Sequence, residues 1–279
     1  MRVMTFNLRF ENDRDGSNSW VYRRDLVTEV IRKHRPSILG TQEGLWSMLL
    51  YLKERLPEYT LHAPDRVLDD TCQYPTLFFR MEEFEILEGG EFWLSKTPEV
   101  HRSLDWDSAF PRMLSYAALA HKGEGDRFWV GVTHLDHVGV AARLRQAEML
   151  ARWVKDRSGP VILMGDFNDA PDSPVHRVLT DPAVGLEDTW RILDRSENAR
   201  SRTHHGFEGV PQKTRMDWIL TTRHFRVTDA WIIHDHRGRL YPSDHFPYMV
   251  ELSLEQPFLR KGSDERKHPR GDCTTQTVS

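Results

Sequence analysis

Short apolar runs that stop on polar residues are the feature that most limits what this chain can become. Val3–Leu8 carries Asn7 near its end, Ser37–Thr41 closes on Gln42-Glu43, and Arg127–His134 ends on a histidine. Pro160–Gly165 leads into Asp166-Phe167-Asn168, Met216–Thr221 holds Asp217 near its start, and Ser243-Asp244-His245 precedes Phe246–Leu254. Apolar runs of this length, bounded by turn residues, read as buried strands. Open α/β sheets gather functional groups at strand ends, so carboxylates, amides and histidines placed this way mark a site.

The segments between the runs set the fold class. Trp20 to Lys33 places Leu26, Val30 and Ile31 at helical spacing, and Trp46 to Leu56 forms a second helix before Pro57. Val140, Leu144, Ala147, Ala151 and Val154 form one stripe of a third. The middle differs: Thr76–Arg80, Glu85–Leu94, Leu114–His121 and Arg127–His134 read as strands with hairpin-length connections. Arg226–His234 adds a late strand. Helix-flanked strands interrupted by hairpins predict an α/β fold with mixed sheets. The expected organisation is one domain over residues 1–256, followed by a polar, solvated and flexible tail over 257–279.

Bulk properties exclude several classes. A hydrophobic fraction of 39%, with nine Trp, suffices for a substantial core across 279 residues. The net charge of −4 gives no general attraction for polyanions. Cys72 and Cys273 are too few for a disulfide framework or a thiolate zinc site. No apolar stretch is long enough to span a membrane, and the N-terminus enters a strand pattern without a leader-like apolar segment. These features predict a cytoplasmic location, with no protein partner evident.

The candidate residues indicate which ion and which reaction. Oxygen donors such as Glu43, Asp166, Asn168 and Asp244 suit a hard cation, Mg²⁺ or Mn²⁺, rather than Zn²⁺. His134 and His245 then fall to proton transfer or phosphate contact. His204-His205 and His234-Asp235-His236 read as solvated loop histidines. Asp136 and His137 read as loop-shaping hydrogen-bonding groups, and Trp20, Trp93, Trp190 and Trp218 as packing.

Six segments in one order carry a resemblance. They are Phe6-Asn7-Leu8-Arg9, Thr41-Gln42-Glu43, Thr133-His134-Leu135-Asp136-His137, Gly165-Asp166-Phe167-Asn168, Met216-Asp217-Trp218-Ile219-Leu220 and Ser243-Asp244-His245. Together they resemble the endonuclease/exonuclease/phosphatase superfamily, the DNase I-like fold, over roughly residues 1 to 252. Asp15-Gly16-Ser17-Asn18-Ser19-Trp20 and Gly90-Glu91-Phe92-Trp93-Leu94-Ser95 are similar to its bacterial metal-dependent hydrolase branch. The chain departs from the pattern at Val132, where relatives carry Asn before Thr-His.

The resemblance implies a four-layer α-β-β-α sandwich with two mixed β-sheets. It implies Glu43 as principal metal ligand, Asn7 beside it on metal or phosphate, and Asp244 completing those contacts. Asp166 would orient or deprotonate the attacking water, and Asn168 would position water or phosphate. His245, oriented by Asp217, would contact the scissile phosphate. His134 would stabilise the phosphate or assist the leaving oxygen, with Arg112 as a further substrate-binding group. The leading expectation is a Mg²⁺- or Mn²⁺-dependent hydrolase of a phosphodiester in a nucleic acid or nucleotide. The alternative is hydrolysis of a phosphomonoester or phospholipid headgroup, which needs no long basic track. A non-catalytic binding module is the third reading, and the full set of expected positions stands against it.

Overall fold

The computed structural model describes residues 1–64, 66–123 and 125–255. The expected tail at 257–279 and Cys273 lie outside them. The elements run β1 (Arg2–Asn7), α1 (Trp20–His34), β2 (Ile38–Gly44), α2 (Trp46–Arg55), β3 (Tyr59–His62), β4 (Tyr74–Arg80), β5 (Phe84–Trp93), β6 (Met113–His121) and β7 (Arg127–His134). They continue α3 (Val140–Lys155), β8 (Val161–Asp166), α4 (Pro174–Leu179), β9 (Leu186–Asp188), α5 (Thr189–Ile192), β10 (Asp217–Thr222), β11 (Phe225–Ile232) and β12 (Tyr248–Leu254).

Two six-stranded sheets result, ordered β11-β12-β1-β2-β4-β3 and β5-β6-β7-β8-β10-β9. Within them β1–β2 and β7–β8 pair in parallel, bridged by α1 and α3, and the other pairs are antiparallel. Both sheets are mixed, as the helix-flanked and hairpin-linked runs predict.

The pleat explains why the strands read as continuous apolar runs. In β1, Val3 faces the core between the sheets, where it joins Ile38, Val132 and Ile162. Its neighbour Met4 faces the opposite way, into a second core with Leu26, Val30 and Leu49 from α1 and α2. On the other sheet Leu163 and Leu220 pack against Leu150 and Val154 of α3. A strand covered on both faces has no solvent side on which to place polar residues. Helix, sheet, sheet and helix therefore stack in four layers. Val132 contributes to the central core, so the departure from the family pattern there replaces a polar group with core packing.

Glycines let the sheets approach closely beside the site. A Cβ on Gly40 would lie 2.8 Å from Met164 Sδ in the facing sheet. Gly165 has φ +153°, and a Cβ there would meet Thr133 O of β7 at 2.1 Å. Gly165 thus lets β8 run close to β7 immediately before Asp166.

Sequence periodicity places the long elements within a few residues but misses the short ones. β3, β9, α4 and α5 have 4, 3, 6 and 4 residues, too few for a period to show against the surrounding loops. Trp20 packs as expected: it is 5% exposed and meets Tyr51 edge-on.

Candidate active site

The parallel strands β1, β2, β7 and β8 stop along one edge of the double sheet, and their last residues face one another there. Asn7 Nδ2 donates to Glu43 Oε1 at 3.2 Å and to Asp166 Oδ2 at 3.0 Å. One amide therefore links a carboxylate of its own sheet to a carboxylate of the other. Glu43 Oε2 accepts from the Phe10 backbone N–H at 3.1 Å, and Asn7 Oδ1 accepts from that of Arg9 at 2.9 Å.

The backbone is bent to achieve this. Register between β2 and β4 shifts between Thr41 and Gly44, and Glu43 sits in that irregularity with φ 61°. Arg9 and Asn168 are also left-handed, at φ 53° and 51°. Left-handed backbone at non-glycine residues costs free energy and is held only by surrounding contacts.

Asp166 lies at the centre of a second group. It is 1% exposed and directly opposite Asp217 in the β8–β10 register. Burial and the nearby Asp217 charge push its carboxyl up to about 7. His245 donates from Nδ1 to Asp217 Oδ2 at 2.8 Å, which leaves Nε2 3.9 Å from Asp166 Oδ2. Burial opposes charge on this ring, yet Asp217, then Asp166 and Asp244, hold its pKa up to about 10. His245 is therefore an imidazolium at neutral pH. Asp217 Oδ1 is buried with no hydrogen-bond partner among the described residues.

His134 behaves in the opposite way. Burial and the Arg112 charge hold its pKa well below the usual histidine range, so it is neutral. Asn168 Nδ2 donates to Leu135 O at 3.0 Å and contacts His134 Nε2 at 2.9 Å. That nitrogen is thus the acceptor, and the proton resides on Nδ1. The Asn168 backbone N–H in turn donates to Asp166 Oδ1 at 2.9 Å. Two histidines share one site with opposite charge states.

The remaining expected residues line the same open cleft of about 880 Å³, which contains Glu43, Arg112, His134, Asp166, Asn168, Asp244 and His245. Asp244 reaches toward Arg9 Nε at 3.9 Å, and His245 and Arg9 hold its carboxyl below the ordinary range against the effect of burial. Arg112 is buried beside Asp136, with Nε 3.7 Å from Oδ2, and donates from Nη2 to His137 Nδ1 at 3.2 Å. Glu43, however, belongs to neither of the metal-capable triads among the described residues. Those are Asp166–Asp217–His245 and His204–Asp244–His245.

Several contributors carry no motif signal. Arg23 of α1 is fully buried and donates to Leu8 O, Arg9 O, Asn18 O and Pro242 O. It ties the loop after β1 to the segment that enters Ser243-Asp244-His245. Asp136 accepts backbone N–H groups of Ala109, Phe110, Val138 and Gly139 and so shapes the loop that presents Arg112, in keeping with its expected role. The expectation of solvated loop histidines fails at 204–205. His205 is 0% exposed and stacks on Phe246, and His204 lines the cleft edge-on to His245. Their loop is folded back by backbone hydrogen bonds from His205 and Gly206 to Asp244 O, a contact no local pattern announces.

Residues 4–245 match the endonuclease/exonuclease/phosphatase family, and the chain belongs to it. Each activity in that name cleaves a phosphate ester. A solved family member from Bacteroides vulgatus is 30% identical, with a TM-score of 0.82 over 91% of this chain and 98% of that one. The Bacteroides thetaiotaomicron mannosyl-6-phosphatase is 28% identical, with a TM-score of 0.81 over 91% of this chain and all of that one (100%). Among curated sequences, nocturnin from Rattus norvegicus is 24% identical over 297 residues. That alignment covers 92% of this chain and 66% of nocturnin's length. Among the described residues, no helix is long and apolar enough to cross a membrane.

Proposed function

We propose that the chain is a divalent-cation-dependent phosphoester hydrolase acting on a compact phosphate ester, with residues 1–256 as its catalytic unit. The observation that carries this reading is the Asn7 amide joining Glu43 to Asp166 beside the imidazolium of His245. It sets a carboxylate poised to take a proton next to a fixed cation, the two needs of water attack on phosphorus.

The donor set fits a hard cation. Five carboxylates face the cleft (Glu11, Glu43, Asp70, Asp166 and Asp244) against four cations, Arg9, Arg112, Lys213 and the His245 imidazolium. Arg9 is already paired with Asp15 at 2.9 Å, and Arg112 is beside Asp136. The excess of anionic oxygen, and a carboxyl at Asp166 held up to about 7, are what a divalent ion would offset. Glu43 and Asn7, with Asp244, would hold Mg²⁺ or Mn²⁺, which supplies neutralisation of charge on the phosphoryl oxygens.

The side chains then divide the work. Asp166 accepts the proton of the attacking water, and Asn168 holds that carboxylate and His134 in place. His245 donates from Nε2 to a non-bridging phosphate oxygen while Asp217 fixes its tautomer. Arg112 adds a second donor to the phosphate. Neutral His134 accepts from Asn168 on Nε2 and so helps fix the residue whose backbone N–H holds Asp166.

The charge pattern favours a small ester over a polynucleotide. A nucleic-acid strand needs successive cations along its backbone, whereas the cleft has more carboxylates than cations. The likeness to a mannosyl-6-phosphatase supports the same choice. The test is turnover of p-nitrophenyl phosphate, bis-p-nitrophenyl phosphate and a single-stranded oligonucleotide with Mg²⁺ or Mn²⁺, beside Asp166→Ala. Metal-dependent monoester turnover that Asp166→Ala lacks is expected. Oligonucleotide cleavage in its place would restore the nucleic-acid reading, and full activity in EDTA would overturn the metal.

A further inference from the structure

The Asp136 loop holds one aromatic ring in the open on the wall of the catalytic cleft. Phe110 is 51% exposed and lines the cleft. An exposed Phe on a free loop would be unremarkable, but here the backbone is fastened on both sides. The Phe110 N–H donates to Asp136 Oδ2 at 3.2 Å, and its carbonyl accepts from Ser108 Oγ at 2.8 Å. Asp136 is itself 0% exposed.

The ring is also backed. His137 stacks against it with centroids 5.6 Å apart and planes 26° from parallel. His137 is oriented in turn by the hydrogen bond from Arg112 Nη2, and the Arg112 guanidinium lies 5.8 Å from the Phe110 centroid. A cation that can meet phosphate is thus coupled to a flat apolar face beside it. Fixing a large apolar side chain in water forfeits its rotamer entropy and its burial together. A ring ligand covering the exposed face recovers the burial.

We propose that Phe110, backed by His137, is a stacking subsite for the leaving group, and that this group carries a ring with an apolar face, either a flat nucleobase or the C–H face of a pyranose. The inference rests on the hydrolase reading for the identity of the cleft, and it narrows the ester to one whose phosphate is attached near a ring. Arg112 and His137 then set the separation between phosphate and ring, so a short ringless ester occupies only half the site.

Binding and turnover separate the two claims. Calorimetry with adenosine 5′-monophosphate, glucose 6-phosphate and glycerol 3-phosphate would compare the native chain, Phe110→Ala and Phe110→Trp, with phosphate release followed in parallel. The expected result is that Phe110→Ala weakens at least one ring-bearing ester about tenfold more than glycerol 3-phosphate, and that Phe110→Trp restores it. Which ester loses affinity names the ring. An equal loss for all three esters, or no binding of either ring-bearing ester by the native chain, overturns the subsite. Binding without phosphate release would instead count against the hydrolase reading and leave the subsite standing.

Discussion

His245 and Asp217 meet across the two sheets: Nδ1 of the first lies 2.8 Å from Oδ2 of the second. Asp217 opens β10 in one sheet, and His245 belongs to the segment entering β12 of the other. The contact bears on the charge of His245 and of Asp166 in the reaction centre. It holds the imidazole protonated up to about 10 and, through the Asp217 charge, contributes to lifting Asp166 to about 7.

Asp217→Asn therefore moves both limbs of the pH–rate profile in the same direction. Asp166 loses a neighbouring negative charge, its pKa falls, and it stays ionised to lower pH. His245 loses its carboxylate partner, its pKa falls too, and the imidazolium is lost at lower pH. At one fixed Mg²⁺ concentration, kcat/KM against pH should show the acid limb and the alkaline limb both displaced downward. The rate at the optimum should fall by about 10²-fold or more. A profile that keeps its limbs, or moves them upward, removes Asp217 from this role.

Glu43→Gln removes the charge and keeps one acceptor oxygen for either the Asn7 amide or the Phe10 N–H, the two groups that Glu43 accepts from. Its effect should appear in cation affinity. The Mg²⁺ or Mn²⁺ concentration for half-maximal activity should rise by about tenfold or more, matched by weaker binding in calorimetry. EDTA should abolish turnover in the native chain, and added Mg²⁺ should restore it. Unchanged metal binding in the variant would move the cation away from Glu43.

Arg23→Met tests a residue that reaches the site only through backbone. Removing its guanidinium leaves the buried carbonyls of Leu8 and Pro242 without that donor. The cost should be about 2–4 kcal/mol in urea unfolding. Loosening of the two loops should also lower kcat, because Phe10 N–H no longer holds Glu43 and Asp244 shifts from Arg9. A loss below about 1 kcal/mol would mean that water or a rearranged loop satisfies those carbonyls.

Much of the candidate site is legible in the sequence because its residues stand where apolar runs stop. Asn7, Glu43, His134 and Asp166 lie at the ends of strands, Asp217 opens one, and Asp244-His245 precedes another. Burial on both faces makes such strands visible as runs, and the end of a run is where a polar residue becomes conspicuous. The kinds of donor atom are legible in the same way. Arg112 is legible only as a cation after a proline, and its pairing with Asp136 and His137 is not.

The order of strands and helices, their buried faces and the kinds of side chain at their ends can all be read along the chain. These depend on residues within a turn or a pleat of one another, so local spacing contains them. Which ends meet, and in what charge state, follows from the folded arrangement alone. Asn7 lies 159 positions from Asp166 and Arg23 lies 219 from Pro242. His134 is neutral and His245 charged because desolvation and neighbouring charges differ at two points of one cleft. Those energies depend on distance in space, and no spacing along the chain encodes them.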